Sequence, residues 1–222
     1  MSEFTLFSLP PVILSFGRAG SIQLALWFNK YFPNLINPSL PVNHIEHSAE
    51  FPIRFTGVIQ THSLIKPRIL RNHTKIFALR KDPVETILSL LIAQHYDRYH
   101  ITPENENDAL ASFTYKHWAE IDGCCRGYIK WHRYYSKQID QWSFVVVFET
   151  MLEQIDRKLQ QPVYPNKGRY MLNVDQVREY ITETHLESML ESTRPFLHYT
   201  NPGNIYAEFT PERLLNKSLS SF

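Results

Sequence analysis

The 222-residue chain has few cysteines, almost no net charge and no long apolar run, and each shortage limits what it can be. Its two cysteines, Cys124 and Cys125, are adjacent and offer no framework of distant disulfides. We expect two reduced thiols, which fits a cytoplasmic protein. A net charge of +1 gives no general reason to expect a nucleic-acid partner. No apolar segment approaches the roughly 20 residues of a membrane-spanning helix, so we expect a soluble protein without a membrane span.

The chain also lacks a nucleotide-binding P-loop, although one stretch has the layout that would carry it. Val12–Ala25 (VILSFGRAGSIQLA) runs from apolar residues through the turn Gly17–Ser21 to apolar residues at helical spacing. A strand, a glycine turn and a helix together present backbone N–H groups to an anion. The turn does not end in Gly-Lys-Ser or Gly-Lys-Thr, which disfavours a kinase-type phosphate loop.

Four short, continuously apolar runs predict the buried strands of a parallel sheet: Pro11–Phe16, Thr56–Thr61, Lys75–Arg80 and Ser143–Phe148. The predicted helices are Ser21–Tyr31, Pro83–Tyr99, Phe113–Ile139, Met151–Leu159 and Val174–Ser192. This alternation predicts an α/β fold, a three-layer sandwich with a central parallel sheet flanked by helices. Phe32–Phe51 is predicted to be irregular. We expect one domain over residues 1–222, with about 160–222 as its C-terminal extension.

Ligands of such sheets bind beyond the carboxyl ends of the strands, and the residues of chemical interest all fall there. They are the Gly17–Ser21 turn, Gln60 and His62 after the second run, and Arg80, Lys81 and Ser89 after the third. A cation and a hydroxyl can hold a phosphate together. A histidine with a pKa near 6.5 can accept a proton at neutral pH. Taken singly, each group also fits an ordinary strand–helix connection or a structural histidine.

The order and spacing of these segments resemble the sulfotransferase superfamily, which transfers a sulfuryl group from 3′-phosphoadenosine 5′-phosphosulfate (PAPS). GRAGS resembles the family's 5′-phosphosulfate loop, PKSGT or PRSGT, and VIQTHSLIKP resembles its KTHLP segment with the catalytic base. KIFALRKDPVETILSLL resembles the family's 3′-phosphate segment VIYLxRDPxDVxxSxY, where x is any residue. FVVVFETM resembles the family's following strand hhhhxYEDL, where h is an apolar residue. The similarity runs from about Val12 to Leu159 and implies a P-loop NTPase-like fold of the sulfotransferase type.

The resemblance implies a role for each matching residue. The donor-binding loop residues would be Gly17, Arg18, Ala19, Gly20, Ser21 and Ile22. Arg18 would also act in catalysis by contacting the sulfuryl group, His62 would be the general base, and Gln60 would donate to a sulfuryl oxygen. Ser89 would bind the 3′-phosphate together with either Arg80 or Lys81. Glu149 matches an acidic residue that anchors nearby loops.

The chain departs from the family pattern at several positions. Gln60 stands where the family has lysine, and Phe148 where it has tyrosine. Ile22 and Gln23 lie near the place of an adenine-stacking tryptophan. The C-terminal RKGxxGxWK segment of the cytosolic branch has no clear match in this chain. The most similar segment is Asn166–Arg169 (NKGR).

The sequence therefore predicts a PAPS-dependent sulfotransferase that needs no metal. Its acceptor would be a small molecule, a carbohydrate or a lipid carrying a hydroxyl or an amine. Two alternatives stay open: a catalytically silent relative that keeps the fold for nucleotide binding or interaction, and a P-loop kinase-like phosphotransferase. The oligomeric state also stays open, a homodimer included.

Acceptor specificity is expected to lie in the loops Asn34–Pro52 and Ile101–Asp108. Six aromatic residues either pack the helices together or line an acceptor pocket: Tyr96, Tyr99, Tyr115, Trp118, Tyr128 and Trp131.

Overall fold

The computed structural model describes residues 11–21, 24–25, 43–44, 59–98, 110–140, 143–149 and 167–199. They form a parallel sheet with helices packed against it. Its strands are β1 (Val12–Ser15), β2 (Asn43–His44), β3 (Ile59–Thr61), β4 (Lys75–Leu79) and β5 (Ser143–Val147). The order is β2-β3-β1-β4-β5, and every neighbouring pair is parallel. The predicted α/β class and parallel sheet are confirmed.

All four predicted strands are present, and a fifth was missed. β1, β4 and β5 each end one residue before the predicted boundary, because Phe16, Arg80 and Phe148 turn away from the sheet. The additional strand β2 falls inside the segment predicted to be irregular, so that prediction is wrong at residues 43–44. β2 consists of two residues, which pair with Ile59 and Gln60. A strand this short contains no apolar run by which a sequence pattern could predict it.

The complete helices are α1 (Pro67–Leu70), α2 (Pro83–Tyr96), α3 (Trp118–Ser136), α4 (Val174–Thr184) and α5 (Leu186–Tyr199). A single 3₁₀ turn covers Lys167–Arg169. Ser21, Leu24 and Ala25 are helical, as predicted for the segment after β1. The predicted helix Met151–Leu159 and most of the two acceptor loops lie outside the described residues.

The predicted helix boundaries are wrong where long-range hydrogen bonds compete with local helix propensity. Residues 113–117 were expected to open α3, but the Phe113 amide donates to the Tyr170 carbonyl at 2.8 Å. The Tyr115 amide donates to Asn173 Oδ1, also at 2.8 Å. α2 begins at Pro83 as predicted and ends at Tyr96, because Asp97 adopts a left-handed φ of 52°.

A single helix was predicted over Val174–Ser192, and the structure divides it in two. The break lies at His185, whose Nε2 is 2.8 Å from Asp122 Oδ1 on α3. Met171, Val177 and Met189 are buried in the same apolar cluster as α2 and α3. The described part of the C-terminal extension therefore shares its core with the rest of the chain.

Both faces of the sheet are buried. On one face, Val12, Phe77 and Val145 pack in a cluster with Trp131 of α3 and Phe196 of α5. On the other face the strand residues Ile13, Ile76 and Val146 are at most 5% exposed. Burial on both faces explains why the strands appear in the sequence as unbroken apolar runs.

The chain reverses direction across the sheet around β1, which has β3 on one side and β4 on the other. The connection after β1 leads to the β3 side, and the connection after β3 leads to the β4 side. Such a reversal leaves a crevice at the carboxyl ends of the strands, where parallel α/β sheets bind their ligands. Among the described helices, none is both long and apolar enough to cross a membrane.

Candidate functional site

The glycine turn after β1 holds two residues in left-handed backbone conformations, Arg18 with φ 60° and Gly20 with φ 76°. The following helix begins at Ser21, and its first backbone bond runs from the Leu24 amide to the Gly20 carbonyl at 3.1 Å. The Ser21 amide, at the start of this helix, therefore has no acceptor within it. Ala19 and Ser21 are buried at 3% and 4% exposure.

Gly20 is required by its surroundings as well as by its φ angle. A Cβ atom at this position would lie 1.9 Å from Cδ2 of Phe148, the residue that follows β5. At Gly17 a Cβ would meet Leu90 Cδ1 at an ordinary 3.8 Å. The turn therefore lies between the end of β5 and the part of α2 that carries Leu90 and its neighbour Ser89.

Gln60 connects this turn to His62. Its side-chain nitrogen donates to Ser21 Oγ at 2.7 Å and lies 3.5 Å from His62 Nε2. Gln60 is 2% exposed, so its bond to Ser21 is buried, while its contact with the half-buried His62 is partly accessible to water. The buried side-chain amide of Gln60 thus links the carboxyl end of β3 to the turn that follows β1.

The imidazole of His62 is oriented by Ser15, the last residue of β1. His62 Nδ1 lies 2.9 Å from the Ser15 carbonyl oxygen and 3.0 Å from Ser15 Oγ. A carbonyl oxygen can only accept, so Nδ1 carries the proton in the neutral ring and Nε2 is the nitrogen with the basic lone pair. That nitrogen is on the side of the ring where Gln60 and Ser21 lie.

Aromatic residues of α3 hold the segment that carries His62. Trp131 Nε1 donates to the His62 carbonyl at 3.0 Å. Tyr135 Oη donates to the Ser63 carbonyl at 2.7 Å and accepts from the Ile65 amide at 2.9 Å. Burial raises the pKa of Tyr135, so its hydroxyl keeps the proton that it donates. Three residues after β3, His62, Ser63 and Ile65, therefore have their backbone held from one helix.

Three of the six aromatic residues singled out in the sequence are core residues. Tyr115, Tyr128 and Trp131 are buried at 7%, 2% and 3% exposure, and Trp118 is exposed at 39%. Tyr96 is half-buried, and Tyr99 lies outside the described part of the chain.

Arg80, which follows β4, reaches the predicted phosphate-binding serine. Its Nη1 lies 3.2 Å from Ser89 Oγ and 3.4 Å from the Glu85 carbonyl oxygen. Its Nε donates to Glu149 Oε1 at 3.3 Å, and the guanidinium carbon lies 5.2 Å from the Phe148 ring centre. The ring that packs on Gly20 therefore also lies beside Arg80.

Lys81 contributes its backbone rather than its side chain. The Lys81 amide donates to Glu149 Oε2 at 2.8 Å, while the residue as a whole is exposed. Glu149 thus holds the turn after β4 through both Arg80 and Lys81, which is an anchoring contact of the kind expected for it. Of the two cations considered for the phosphate, Arg80 is the one in contact with Ser89.

A second carboxylate lies one helical turn before Ser89. Glu85 pairs with Lys167 and, at 2.5 Å, with Arg178 Nη2. Burial acts to raise the pKa of Glu85, but the hydrogen bonds from these two cations outweigh it and lower the pKa below 4.5. Lys167 belongs to the segment NKGR, the most similar stretch to the family's C-terminal motif. Its ion pair with Glu85 brings this basic residue to the first turn of α2.

The structure brings most of the predicted site residues to one end of the sheet. Ser21 of the turn contacts Gln60, which lies beside His62, and Gly20 packs against Phe148, whose ring lies beside Arg80 of the Arg80–Ser89 pair. Ile22 lies outside the described residues.

Sequence reasoning missed three contributors to this site. They are Ser15 as the partner of His62, the indole of Trp131 as a donor to the His62 backbone, and Phe148 as the ring between Gly20 and Arg80. For Ser15 a signal was available, because it is the single polar residue in β1 and follows three apolar ones. No local signal marks the other two, because their partners lie 68 to 128 positions away in sequence.

The chain matches no protein-family model, no curated protein and no solved structure. What can be said of its function therefore depends on the geometry described above.

Proposed function

We propose that this chain is a sulfotransferase that moves a sulfuryl group from PAPS to a hydroxyl or amine acceptor. The observation that carries the proposal is the orientation of His62. The Ser15 carbonyl fixes the proton on Nδ1, and the basic Nε2 faces a buried amide that is bonded to the glycine turn. A base beside an anion-binding turn is the minimum arrangement for transfer from an anionic donor.

The turn suits the sulfated 5′ end of the donor. Backbone amides of the first helical turn, the positive end of the helix dipole and the Arg18 side chain all favour negative charge. The left-handed φ of Gly20 allows the tight turn before the helix, and its missing Cβ leaves room for the Phe148 ring that packs against the turn. The buried Ser21 hydroxyl gives the turn a further polar group.

The Arg80–Ser89 pair suits the 3′-phosphate. A guanidinium has five N–H donors in a fixed plane, which matches the oxygens of a phosphate. Glu149 holds Arg80 through Nε and so orients the plane, while Nη1 is directed towards the Ser89 hydroxyl. The expected preference is for adenosine nucleotides that carry a 3′-phosphate.

The transfer would be an in-line displacement at sulfur. The acceptor oxygen or nitrogen forms a bond to sulfur as the bond from sulfur to the 5′-phosphate oxygen breaks, and His62 Nε2 takes the acceptor's proton. Negative charge develops on the departing phosphate, where Arg18 and the turn amides stabilise it. Gln60 donates a neutral hydrogen bond where the family has a lysine, and positioning by this buried amide supplies part of the rate enhancement.

Calorimetric titration with 3′-phosphoadenosine 5′-phosphate (PAP), ADP and ATP with Mg²⁺ tests the donor site. We expect PAP to bind at least about tenfold more tightly than ADP, as the additional charge-assisted bonds to the 3′-phosphate require. Preference for ATP with Mg²⁺ would instead indicate a phosphotransferase. A lack of binding to all three would remove the proposal.

Transfer is tested with PAPS labelled in the sulfate group and a panel of phenols, alcohols, amines, glycans and lipids. Label should move to at least one acceptor class in the wild type and not in the His62→Ala variant. PAP binding without transfer to any class would indicate the catalytically silent relative.

A further inference from the structure

A groove of about 510 Å³ on α3 collects positive charge away from the site described above. Four of its lining residues are Arg126, Lys130, Arg133 and Lys137. Their spacing of four, three and four residues places them on one face of the helix. At a rise of about 1.5 Å per residue, the row is about 16 Å long.

Among the described residues, no carboxylate forms an ion pair with these four cations. All four residues are exposed. Asp122, one turn before Arg126, accepts hydrogen bonds from Tyr180 and His185, and it interacts with Arg126 through space without an ion-pair contact. Because the whole chain has a net charge of only +1, this row is a local concentration of cations.

The rest of the lining adds a flat ring, an aliphatic side chain and a hydroxyl. Tyr134 and Ile129 come from α3, and Ser188 comes from the first turn of α5. Tyr134 Oη donates to the Ile65 carbonyl at 2.8 Å, which fixes the ring in place. The groove thus combines a row of cations with a fixed aromatic face.

We propose that this groove binds an anionic polysaccharide, a linear glycan that carries sulfate or carboxylate groups. Lysine and arginine at intervals of about 4.5–6 Å along the helix can pair with successive acidic groups of an extended chain. The apolar face of a sugar ring can pack on Tyr134 and Ile129. The Ser188 hydroxyl can exchange hydrogen bonds with sugar hydroxyls.

Two other anionic partners fit the groove less well. Single-stranded nucleic acid binds through bases stacked on aromatic side chains, and among the described lining residues Tyr134 alone is aromatic. A lipid bilayer requires large apolar side chains that insert beside the cations. The exposed large apolar residues Trp118, Leu172, Leu190 and Leu197 are absent from the groove lining.

The binding proposal does not depend on the transfer reaction, since it requires neither donor nor catalysis. It is tested by fluorescence anisotropy of the full chain with a labelled, highly sulfated octasaccharide. The groove variant combines Lys130→Glu with Arg133→Glu. The matched control combines Arg71→Glu with Lys116→Glu, two exposed cations outside the groove, so that both variants carry the same net charge.

We expect the groove variant to bind the octasaccharide at least about tenfold more weakly than the wild type, and the control to change by about twofold or less. Wild-type binding should weaken as ionic strength rises. Equal losses of affinity for the octasaccharide in the two variants would overturn the proposal. So would tighter wild-type binding of a single-stranded oligonucleotide, or of vesicles containing phosphatidylserine. Thermal melting curves of both variants verify that each is folded.

Discussion

The indole Nε1 of Trp131 donates a hydrogen bond of 3.0 Å to the backbone carbonyl of His62, 69 positions earlier in the chain. The contact is buried on the Trp131 side, where exposure is 3%. It links the middle of α3 to the first residue after β3. Because the His62 ring is held at Nδ1 by Ser15, the residue is fixed at both its backbone and its side chain.

Replacing Trp131 by Phe removes this donor and keeps a buried ring. We expect a loss of about 1–3 kcal/mol in the free energy of unfolding, because the change leaves a buried carbonyl without its partner and leaves space for the missing part of the indole. Turnover should fall about tenfold or more through displacement of the base, with an unchanged Kd for PAP.

Tyr134→Phe is the matched control, since it removes a similar bond to the Ile65 carbonyl three residues further on. It should lower the stability measured by urea unfolding and leave turnover nearly unchanged. Equal losses of turnover in the two variants would show that the indole bond has no particular effect on His62.

His62→Ala removes the proposed base. Turnover on an acceptor identified in the panel should fall about 10²–10⁴-fold, the range typical of a positioned general base. PAP binding should be nearly unchanged, because the donor contacts are assigned to other residues. The control is His117→Ala, an exposed histidine before α3 that should retain wild-type turnover. Full activity in His62→Ala would rule out its role as the base.

Recognition of the 3′-phosphate is tested by Ser89→Ala combined with Arg80→Lys. Lysine keeps the charge beside Glu149 but loses the planar fork of donors. The Kd for PAP should rise about tenfold or more, while the Kd for adenosine 5′-phosphate changes little. Lys81→Ala, at an exposed side chain, should leave both constants within about twofold. A larger effect from Lys81→Ala would reverse the assignment.

Gly20→Ala should be strongly destabilising. The left-handed φ of 76° costs a non-glycine residue about 1–3 kcal/mol, and the methyl group would collide with Phe148 Cδ2 at 1.9 Å. We expect the free energy of unfolding to fall by about 2–5 kcal/mol in urea titrations. Phe148→Leu in the same chain should recover part of the loss.

Gly123→Ala provides the comparison, because this glycine lies in α3 and a Cβ there would meet nothing within 4 Å. Alanine in a helix interior is expected to raise stability by about 0.4–1 kcal/mol. If Gly20→Ala behaved in the same way as Gly123→Ala, the described conformation of the turn would be wrong.

Stability should depend on pH through Glu85. Its pKa in the folded chain is lowered below 4.5 by Lys167 and Arg178, despite the opposing effect of burial. The unfolded chain therefore binds the proton more readily than the folded one. The stabilisation is fully present above pH 4.5 and is lost as the pH falls through the lowered pKa.

Urea unfolding at a series of pH values compares the wild type with Glu85→Gln. At neutral pH the variant should be less stable by about 1–3 kcal/mol, and the difference should shrink on acidification below 4.5. Glu187→Gln, an exposed carboxylate in the first turn of α5, should show no such difference. If the difference in the free energy of unfolding between Glu85→Gln and the wild type stayed constant with pH, the stabilisation would not come from the ion pairs of Glu85.

The parallel sheet and the location of the site were predictable because both follow from local patterns. Unbroken apolar runs such as Val12–Ser15 and Ser143–Val147 reflect burial on two faces. Once the strands are parallel, their carboxyl ends must share one edge. Residues as far apart in sequence as Ser21 and Gln60 could therefore be placed together without knowledge of any contact between them.

Tertiary contacts determined the features that the sequence pattern missed. α3 begins at Trp118 because Phe113 and Tyr115 bond to residues 170–173, and the helix after Asn173 breaks where His185 reaches Asp122. These bonds join segments more than fifty positions apart, so no local window contains both partners.

The chain's own residue order specified which chemical groups reach the site: a glycine turn with arginine and serine, a histidine, and a cation with a hydroxyl. The three-dimensional packing alone chose Arg80 over Lys81 as the partner of Ser89, and Nδ1 of His62 as the nitrogen that carries the proton. Those choices depend on side-chain direction and on a carbonyl 47 residues away, and hydrophobic periodicity contains no information about either.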